Sequence, residues 1–342
     1  MNIKSLLLGS AAALAVVSGA QAADAIVAAE PEPMEYVRVC DAFGTGYFYI
    51  PGTETCLKIG GEVRATAAFG NDAAIAYGAR DENWQTDVRA RVSFDAKNDS
   101  ELGTIGSRIR IQAEQGSAST RAGVVLDEAY ITVGGFKVGR AYAFWDDVGI
   151  AGENDAFTGN ARFNLISYTY SSDAFTAGLG VHDLTSNSGA GEEELGIEAM
   201  ASASLGVATL SVYGVYDFGF EEGAISGKVS AEVGPGTFEL YAAYSSGANT
   251  YVGEVDFPVA AVTDSIEWTV GGAYAFKATE KLTITPSVNY WEFQGGTDAW
   301  GAGLLAEYAL ASGLTAAATV DYFDADGEDE AWTGFVRLTR SF

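Results

Sequence analysis

Histidine is nearly absent from this 342-residue sequence, and basic residues are scarce beside acidic ones. The single histidine is His182, and 46 Asp and Glu residues face 19 Lys and Arg, a formal net charge of −27. Catalysis by a histidine-activated nucleophile therefore has only one candidate base. We expect His182, at a strand end before a polar loop, to be solvated rather than catalytic. Nucleic acid is not an expected partner, because phosphate binding needs clustered cations.

Long apolar runs are also missing, apart from the first residues. Lys4 is followed by an apolar stretch with an Ala-x-Ala end, which predicts a secretory signal peptide over residues 1–22. Its apolar core is too short for a membrane-spanning helix, which needs about 20 residues. The uncharged stretch at residues 199–216 is interrupted by Ser, Thr and Gly and alternates in polarity. We interpret it as two strands around a turn at residues 205–206.

Cysteine is limited to Cys40 and Cys56. In an exported protein two nearby cysteines are expected to form a disulfide. Metal ligation is the weaker alternative, because two thiols and one histidine do not complete an ordinary tetrahedral zinc site. We therefore expect neither a metal nor a cofactor, and we assign residues 23–56 to a lead-in that ends with a disulfide-bounded segment.

Glycine, aromatic residues and short alternating segments dominate what remains. The 42 Gly, 17 Tyr and 18 Phe, with 48% hydrophobic residues, argue against disorder despite the charge. Apolar and polar residues alternate with the period of a half-buried strand in sixteen segments over residues 57–342. Short turns, such as Gly134-Gly135, alternate with longer polar connections. This pattern predicts an all-β fold, a transmembrane antiparallel β-barrel.

The spacing of aromatic residues separates a membrane barrel from a soluble sandwich. Trp268 and Phe276, like Trp300 and Tyr308, share the apolar face of one strand eight residues apart. Eight residues of a tilted strand rise roughly 21 Å, close to the apolar band of about 25 Å that aromatic girdles flank in outer-membrane barrels. A sandwich has no reason to repeat this separation.

The alternation stops at residues 140–162, RAYAFWDDVGIAGENDAFTGNAR. This stretch carries the acids Asp146, Asp147, Glu153 and Asp155. Loops of this length in a compact β protein are uncommon and usually functional. We expect a loop that folds back into the barrel lumen and narrows it. An ordinary surface loop is the alternative.

Three segments resemble a known family. Residues 36–64, YVRVCDAFGTGYFYIPGTETCLKIGGEVR, resemble the N-terminal signature of the alpha-proteobacterial porins. Residues 127–140, DEAYITVGGFKVGR, resemble the hairpin before the constriction loop of general-diffusion porins, and Phe342 resembles the C-terminal aromatic residue that marks outer-membrane barrels for assembly. The resemblance implies a sixteen-stranded homotrimeric barrel among outer-membrane lipids, with its third loop, residues 140–162, inside the channel.

Arginines form the second half of the candidate constriction. Five lie on the polar parity of the first three strands, and two bound the loop: Arg64, Arg89, Arg91, Arg108, Arg110, Arg140 and Arg162. The polar face of a barrel is its lumen, so the ladder is expected to oppose the loop acids and to create a transverse field. Arg140 shares the parity of outward-facing Phe136 and Val138, so a bulge is required to turn it inward. The alternative is pairing within the wall, such as Arg64 with Glu62 or Arg110 with Glu114.

These features predict an outer-membrane porin that passes small hydrophilic solutes and ions without catalysis. The alternative from another class is a barrel with a closed lumen that acts as a surface adhesin or wall anchor. The acidity of the chain favours cations at the channel mouth, whereas the predicted constriction is nearly balanced in charge. We therefore expect a weak cation preference at low salt that fades as salt rises.

Overall fold

The computed structural model describes residues 38–71, 84–116, 123–154, 157, 161–185, 194–252 and 265–342. The signal peptide predicted for residues 1–22 and nearly all of the lead-in before Cys40 lie outside the described residues. The compact unit considered below is Val39–Phe342. No helix among its described residues is both long enough and apolar enough to cross a membrane.

Antiparallel strands make up almost all of this unit. A 3-10 turn at Asp41–Phe43 precedes the short strand β1 (Phe48–Tyr49). The longer strands follow: β2 (Cys56–Gly70), β3 (Trp84–Ser100), β4 (Gly103–Gly116), β5 (Gly123–Val133), β6 (Phe136–Tyr142), β7 (Arg162–Ser171), β8 (Phe175–Asp183), β9 (Leu195–Leu205), β10 (Ala208–Asp217), β11 (Glu222–Val233), β12 (Gly236–Ser245), β13 (Ile266–Lys277), β14 (Leu282–Phe293), β15 (Asp298–Ala311), β16 (Leu314–Ala325) and β17 (Ala331–Ser341). Each pairs with its neighbours in the chain, and β17 pairs with β2. The described strands β2–β17 thus form the predicted closed barrel of sixteen strands.

Side chains alternate between the two faces of the wall, as a strand period of two requires. In β2, Ile59, Val63 and Phe69 are 45, 47 and 41% exposed, whereas Thr66 and Ala68 are buried. The exposed set is predominantly apolar along the barrel strands, as expected of the surface that lipid covers in an outer-membrane barrel. The polar set therefore faces the lumen.

An aromatic row runs around the outside of the barrel near its long-loop end. The ring centroids of Trp268 and Tyr290 are 5.1 Å apart, those of Trp300 and Tyr322 5.0 Å, and those of Tyr322 and Trp332 4.7 Å. Farther along the same strands, Phe276 and Tyr308 are exposed as well. These positions match the two predicted girdles, which hold a barrel at the membrane interfaces.

Short turns and longer connections alternate around the barrel. The predicted Gly134-Gly135 pair joins β5 to β6, and Gly206 and Val207 join β9 to β10, one residue from the predicted turn. Gly134 and Gly206 have φ values of 56 and 76°, a left-handed conformation that glycine adopts without steric cost. The connection from β6 to β7, called the central loop below, begins with a 3-10 turn at Phe144–Asp147.

The cysteine pair tethers the N-terminal segment to the first barrel strand. Cys40 and Cys56 form the predicted disulfide, with Cα atoms 5.9 Å apart. Both are 1% exposed and pack with Tyr47. Strand β1 adds its backbone to β2 beside them, so this segment is a small packed element at the short-turn end of β2.

Phe342 closes the seam of the barrel. Its backbone N–H donates to the carbonyl of Gly61 in β2, and the Gly61 N–H donates to the Phe342 carbonyl, each at 3.0 Å. Its ring lies on the outer face over Gly61, where a Cβ atom would stand 2.8 Å from the ring. The last residue thus extends the β17–β2 pairing beyond Ser341.

Deleting Phe342 is expected to impair assembly more than it impairs the finished fold. The deletion removes two backbone hydrogen bonds at a seam where lipid offers no replacement partner, and it removes the C-terminal aromatic residue. The measurement compares the yield of heat-resistant folded protein from membranes with the yield from refolding in vitro, with Phe342→Tyr as a control that keeps a ring. Equal losses in both would mean that Phe342 is only a packing residue.

Candidate functional site

The arginine ladder lies on the lumen face of three consecutive strands. Its members are Arg64 of β2, Arg89 and Arg91 of β3, and Arg108 and Arg110 of β4. Arg64 and Arg89 are directly paired in the β2–β3 register. Apolar residues at the other parity, such as Val88 and Ile109, are 48 and 49% exposed on the outside. The structure therefore brings the five predicted wall arginines together.

Asp127 of β5 is the centre of this group. Its carboxylate is 1% exposed and contacts Arg110 Nε and Arg162 Nη1, with Arg91 Nε at 3.8 Å. One buried carboxylate thus holds guanidinium groups from β3, β4 and the start of β7. Burying three like charges together would be costly without such a partner.

A β-bulge turns two adjacent acids into the lumen. Arg110 pairs with Glu128 and the next residue, Ile111, pairs with Leu126, so Asp127 is the extra residue in β5. Glu128 accepts from Arg108 Nε at 3.0 Å and lies 2.9 Å from Arg110 Nη1. Without the bulge one of the two carboxylates would face lipid, where charge is costly.

The wall arginines do form ion pairs within the wall, but their partners differ from the alternatives considered from the sequence. Arg89 donates to Glu62 at 2.6 Å, and Arg108 donates to Asp95 at 2.9 Å. Arg110 pairs with Asp127 and Glu128 rather than with Glu114. Within the described ranges Arg64 forms no ion pair, and its buried Nε has no hydrogen-bond partner.

Arg140 does not join the arginine cluster. The register of β6 with β5 and β7 runs through Arg140 without a shift, opposite Ala129 and Asn164. The bulge that would turn it inward is therefore not at this position. Arg140 keeps the parity of Val138, which is 47% exposed on the outer face.

The central loop crosses the inside of the barrel. Trp145 is fully buried; its backbone N–H donates to Glu198 at 3.3 Å and its indole N–H donates to the carbonyl of Tyr251 at 3.0 Å. Farther on, the Ala151 N–H donates to Glu239 of β12 at 2.7 Å. These contacts place the first half of the loop against the wall on the side away from the arginines.

The next part of the loop reaches the barrel seam. Glu153 lies 3.4 Å from Arg337 of β17, whose guanidinium stacks on the ring of Phe335 at 3.7 Å. Contacts from β9 and β12 to β17 can be made by one loop only if it lies within the lumen. Asp155, the fourth predicted loop acid, lies outside the described residues.

His182 is buried, contrary to the expectation of a solvated residue. It is 0% exposed, with Nε2 2.9 Å from Glu198 and Nδ1 2.9 Å from the Tyr251 hydroxyl. Phe163 stacks on its ring at 5.0 Å. The prediction is wrong because Tyr251, distant in sequence, and Phe163 of β7 cover this strand end. His182 thus helps to fix Glu198 and Tyr251, the two residues that hold Trp145.

Asp146 and Asp147 form the negatively charged side of the lumen. They border a polar cavity of about 420 Å³, with Ser211 and Tyr213 of β10 and Lys228 of β11 on the wall beside it. Burial and the neighbouring Asp147 raise the pKa of Asp146 to about 6, although Arg110 opposes the rise. At pH 7 Asp146 is therefore largely ionised, and it loses its charge below pH 6.

Several residues of this site escaped the sequence analysis. Asp127, Glu128 and Arg337 were not predicted to belong to it. Arg337 could have been predicted, because it lies on the polar parity of its strand. Asp127 and Glu128 could also have been predicted, because adjacent carboxylates in a membrane strand require a bulge if neither is to face lipid. No group of three or more His, Cys, Asp or Glu suited to a metal ion occurs among the described residues.

Comparison with known proteins agrees with this geometry. A family model described as the porin subfamily matches residues 24–338. The chain belongs to this porin family. Outer membrane protein IIIA of Rhizobium leguminosarum bv. viciae is 41% identical, with 98% of this chain and 93% of that protein aligned, and porin Omp2a of Brucella suis is 36% identical over the full length of both.

Solved structures share the fold at low sequence identity. The outer membrane channel DcaP of Acinetobacter baumannii superposes with a TM-score of 0.68 and 13% identity, covering 86% of this porin and 99% of DcaP. The trimer form of OmpT, an outer membrane protein of Vibrio cholerae, gives a TM-score of 0.60 at 14% identity, covering 85% and 100%. These structures share the fold; the family match and the relatives above make the protein an outer-membrane porin, a channel rather than an enzyme, that passes small hydrophilic solutes and ions.

Proposed function

We propose that this porin selects solutes by a transverse field between the arginine cluster and the central loop. The observation that supports it is the placement of the two charged groups: the arginine cluster lies on β2–β4, whereas Asp146 and Asp147 border a polar cavity beside β10 and β11, across the barrel. Between these two groups the lumen has guanidinium groups on one side and carboxylates on the other. Such a field orients dipolar solutes and hinders apolar ones.

The charge balance across this passage predicts weak ion selectivity. Six arginines of β2–β4 and β7 stand among four wall carboxylates, Glu62, Asp95, Asp127 and Glu128. The small positive excess faces Asp146 and Asp147, so the constriction is nearly neutral. The net charge of −27 then favours cations at the mouth. Because exposed charges act over about 8–10 Å at ordinary salt, this preference fades as salt rises.

We also propose that the protein works as a homotrimer in the outer membrane. The support is the trimer form of OmpT, which has the same fold. Chemical cross-linking of the protein in native membranes should yield a limiting species of three subunits. A limiting species of one subunit would contradict the proposal.

Charge neutralisation on the two sides of the lumen should shift the reversal potential in opposite directions. Asp146→Asn with Asp147→Asn removes the negative side and should shift the potential toward anion preference. Arg89→Gln with Arg91→Gln leaves Glu62 and Asp127 less compensated and should shift it toward cation preference. The measurement is the zero-current potential of reconstituted protein across a salt gradient.

Glu280→Gln is the control, because Glu280 is exposed in the short connection between β13 and β14. It should shift the potential much less than either pair. Acidification from pH 7 to pH 5 should act like the Asp146 substitution, since it protonates that carboxyl group. Shifts of the same sign from both pairs, or none, would contradict the proposed field.

A further inference from the structure

Two glycines of β15 face the lumen where the central loop meets the wall. Gly301 and Gly303 alternate with outward-facing Trp300 and Leu304, which are 43 and 52% exposed. Glycine within a strand often marks a position where another group approaches the backbone closely. The groups that approach here are the side chain of Asn154 in the central loop and, from the neighbouring strand β16, the Tyr322 carbonyl at Gly301 and the Asp321 carboxylate at Gly303.

Asn154 fills the space that side chains at these positions would occupy. A Cβ atom on Gly301 would lie 2.9 Å from Asn154 Oδ1 and 3.0 Å from Asn154 Nδ2. A Cβ atom on Gly303 would lie 3.3 Å from Asn154 Cβ and 3.0 Å from Ser287 Oγ, and would collide with Asp321 Oδ1. Asn154 itself is 0% exposed.

Shape rather than hydrogen bonding holds this contact. Among the described residues, Asn154 Oδ1 and Nδ2, Ser287 Oγ and Asp321 Oδ1 are buried without a hydrogen-bond partner. Because the Asn154 amide makes no hydrogen bond here, little besides packing holds this part of the loop against β15. The loop should therefore move if a side chain fills the space. The directed contact next to it is the pair of Glu153 with Arg337.

We propose that Gly301 and Gly303 form a seat for Asn154 and thereby set how far the central loop projects into the channel. They are positioning residues for permeation, and the proposal rests on the loop forming the constriction. A methyl group added behind Asn154 would push this part of the loop away from β15 and toward the arginine cluster. The passage would narrow, and the loop would fluctuate more.

The test is a double-variant cycle recorded in planar bilayers. Gly301→Ala should lower single-channel conductance by roughly a third and raise open-channel noise, because permeation follows the narrowest section. Asn154→Ala alone should leave conductance close to wild type. Combined with Gly301→Ala, it should restore most of the lost conductance, because it removes the group that collides. A purely structural role for Gly301 would give no such rescue.

A control and a second variant complete the test. Gly227→Ala places the same methyl group in open space on β11, with no atom within 4 Å, and should change nothing. If Gly301→Ala fails to fold, Asn154→Gln tests the same contact from the loop side and should also lower conductance. Unchanged conductance in both variants would overturn the proposed role of Gly301 and Gly303. The field proposal fails instead if the paired charge substitutions leave the reversal potential unchanged or shift it with the same sign.

Discussion

Shortening the central loop over residues 149–159 is expected to raise single-channel conductance roughly two-fold and to admit larger sugars, because the loop sets the narrowest section of the channel. The deletion removes the contacts of Ala151 with Glu239 and of Glu153 with Arg337, which hold the loop across the lumen. It keeps Trp145, so the beginning of the loop stays attached to β9. Planar-bilayer recordings give the conductance, and liposome swelling gives the sugar cutoff.

A shortened loop outside the lumen is the matched control. Residues 326–330 connect β16 to β17 at the same end of the barrel and are exposed. Shortening them should change neither conductance nor the sugar cutoff beyond a small electrostatic effect. Equal increases for both deletions would mean that a loop at the mouth, rather than one in the lumen, limits permeation.

Asp127→Asn should be the most damaging single substitution in the arginine cluster. It leaves Arg91, Arg110 and Arg162 without their shared carboxylate, and removal of one partner from a buried ion pair costs about 3–5 kcal/mol. We expect the lower end, about 3 kcal/mol, because the arginine side chains are 16–28% exposed to lumen water. The extra positive charge should also shift the reversal potential toward anions.

The measurements are the urea midpoint of folded protein in detergent and the zero-current potential. Glu114→Gln is the control for stability, because it removes a carboxylate from β4 that forms no ion pair with the described residues. It should lower the midpoint much less than Asp127→Asn. Equal midpoints for the two variants would show that Asp127 does not organise the cluster.

The barrel was predictable because the residue pattern of each strand reflects the two environments that its faces contact, lipid and the lumen. Lipid requires apolar side chains at every second position, so parity alone placed Ile59 and Val63 outside and Arg64 inside. The girdle spacing followed from the thickness of the membrane, and the disulfide followed from export. Each of these features depends on the local environment and can therefore be predicted from one strand or one short segment.

The interior of the site was less predictable because it depends on contacts between distant segments. Parity fails at a bulge, and the bulge lies at Asp127 rather than at Arg140. The pair Asp127-Glu128 held the clue, since strict alternation would have put one carboxylate into lipid. His182 is buried by Tyr251, which no local pattern connects to it. The central loop contacts β12 through Ala151 and β17 through Glu153, along a path that only the closed barrel defines.

Recordings of the wild-type protein in planar bilayers test the central claim most directly. An open lumen narrowed by the central loop should give stepwise openings, a weak cation preference at low salt, and loss of that preference as salt rises. A closed barrel acting as an adhesin or wall anchor would show no openings. If correctly folded protein showed no stepwise conductance, the conclusion that the central loop narrows the lumen but leaves it open would be wrong.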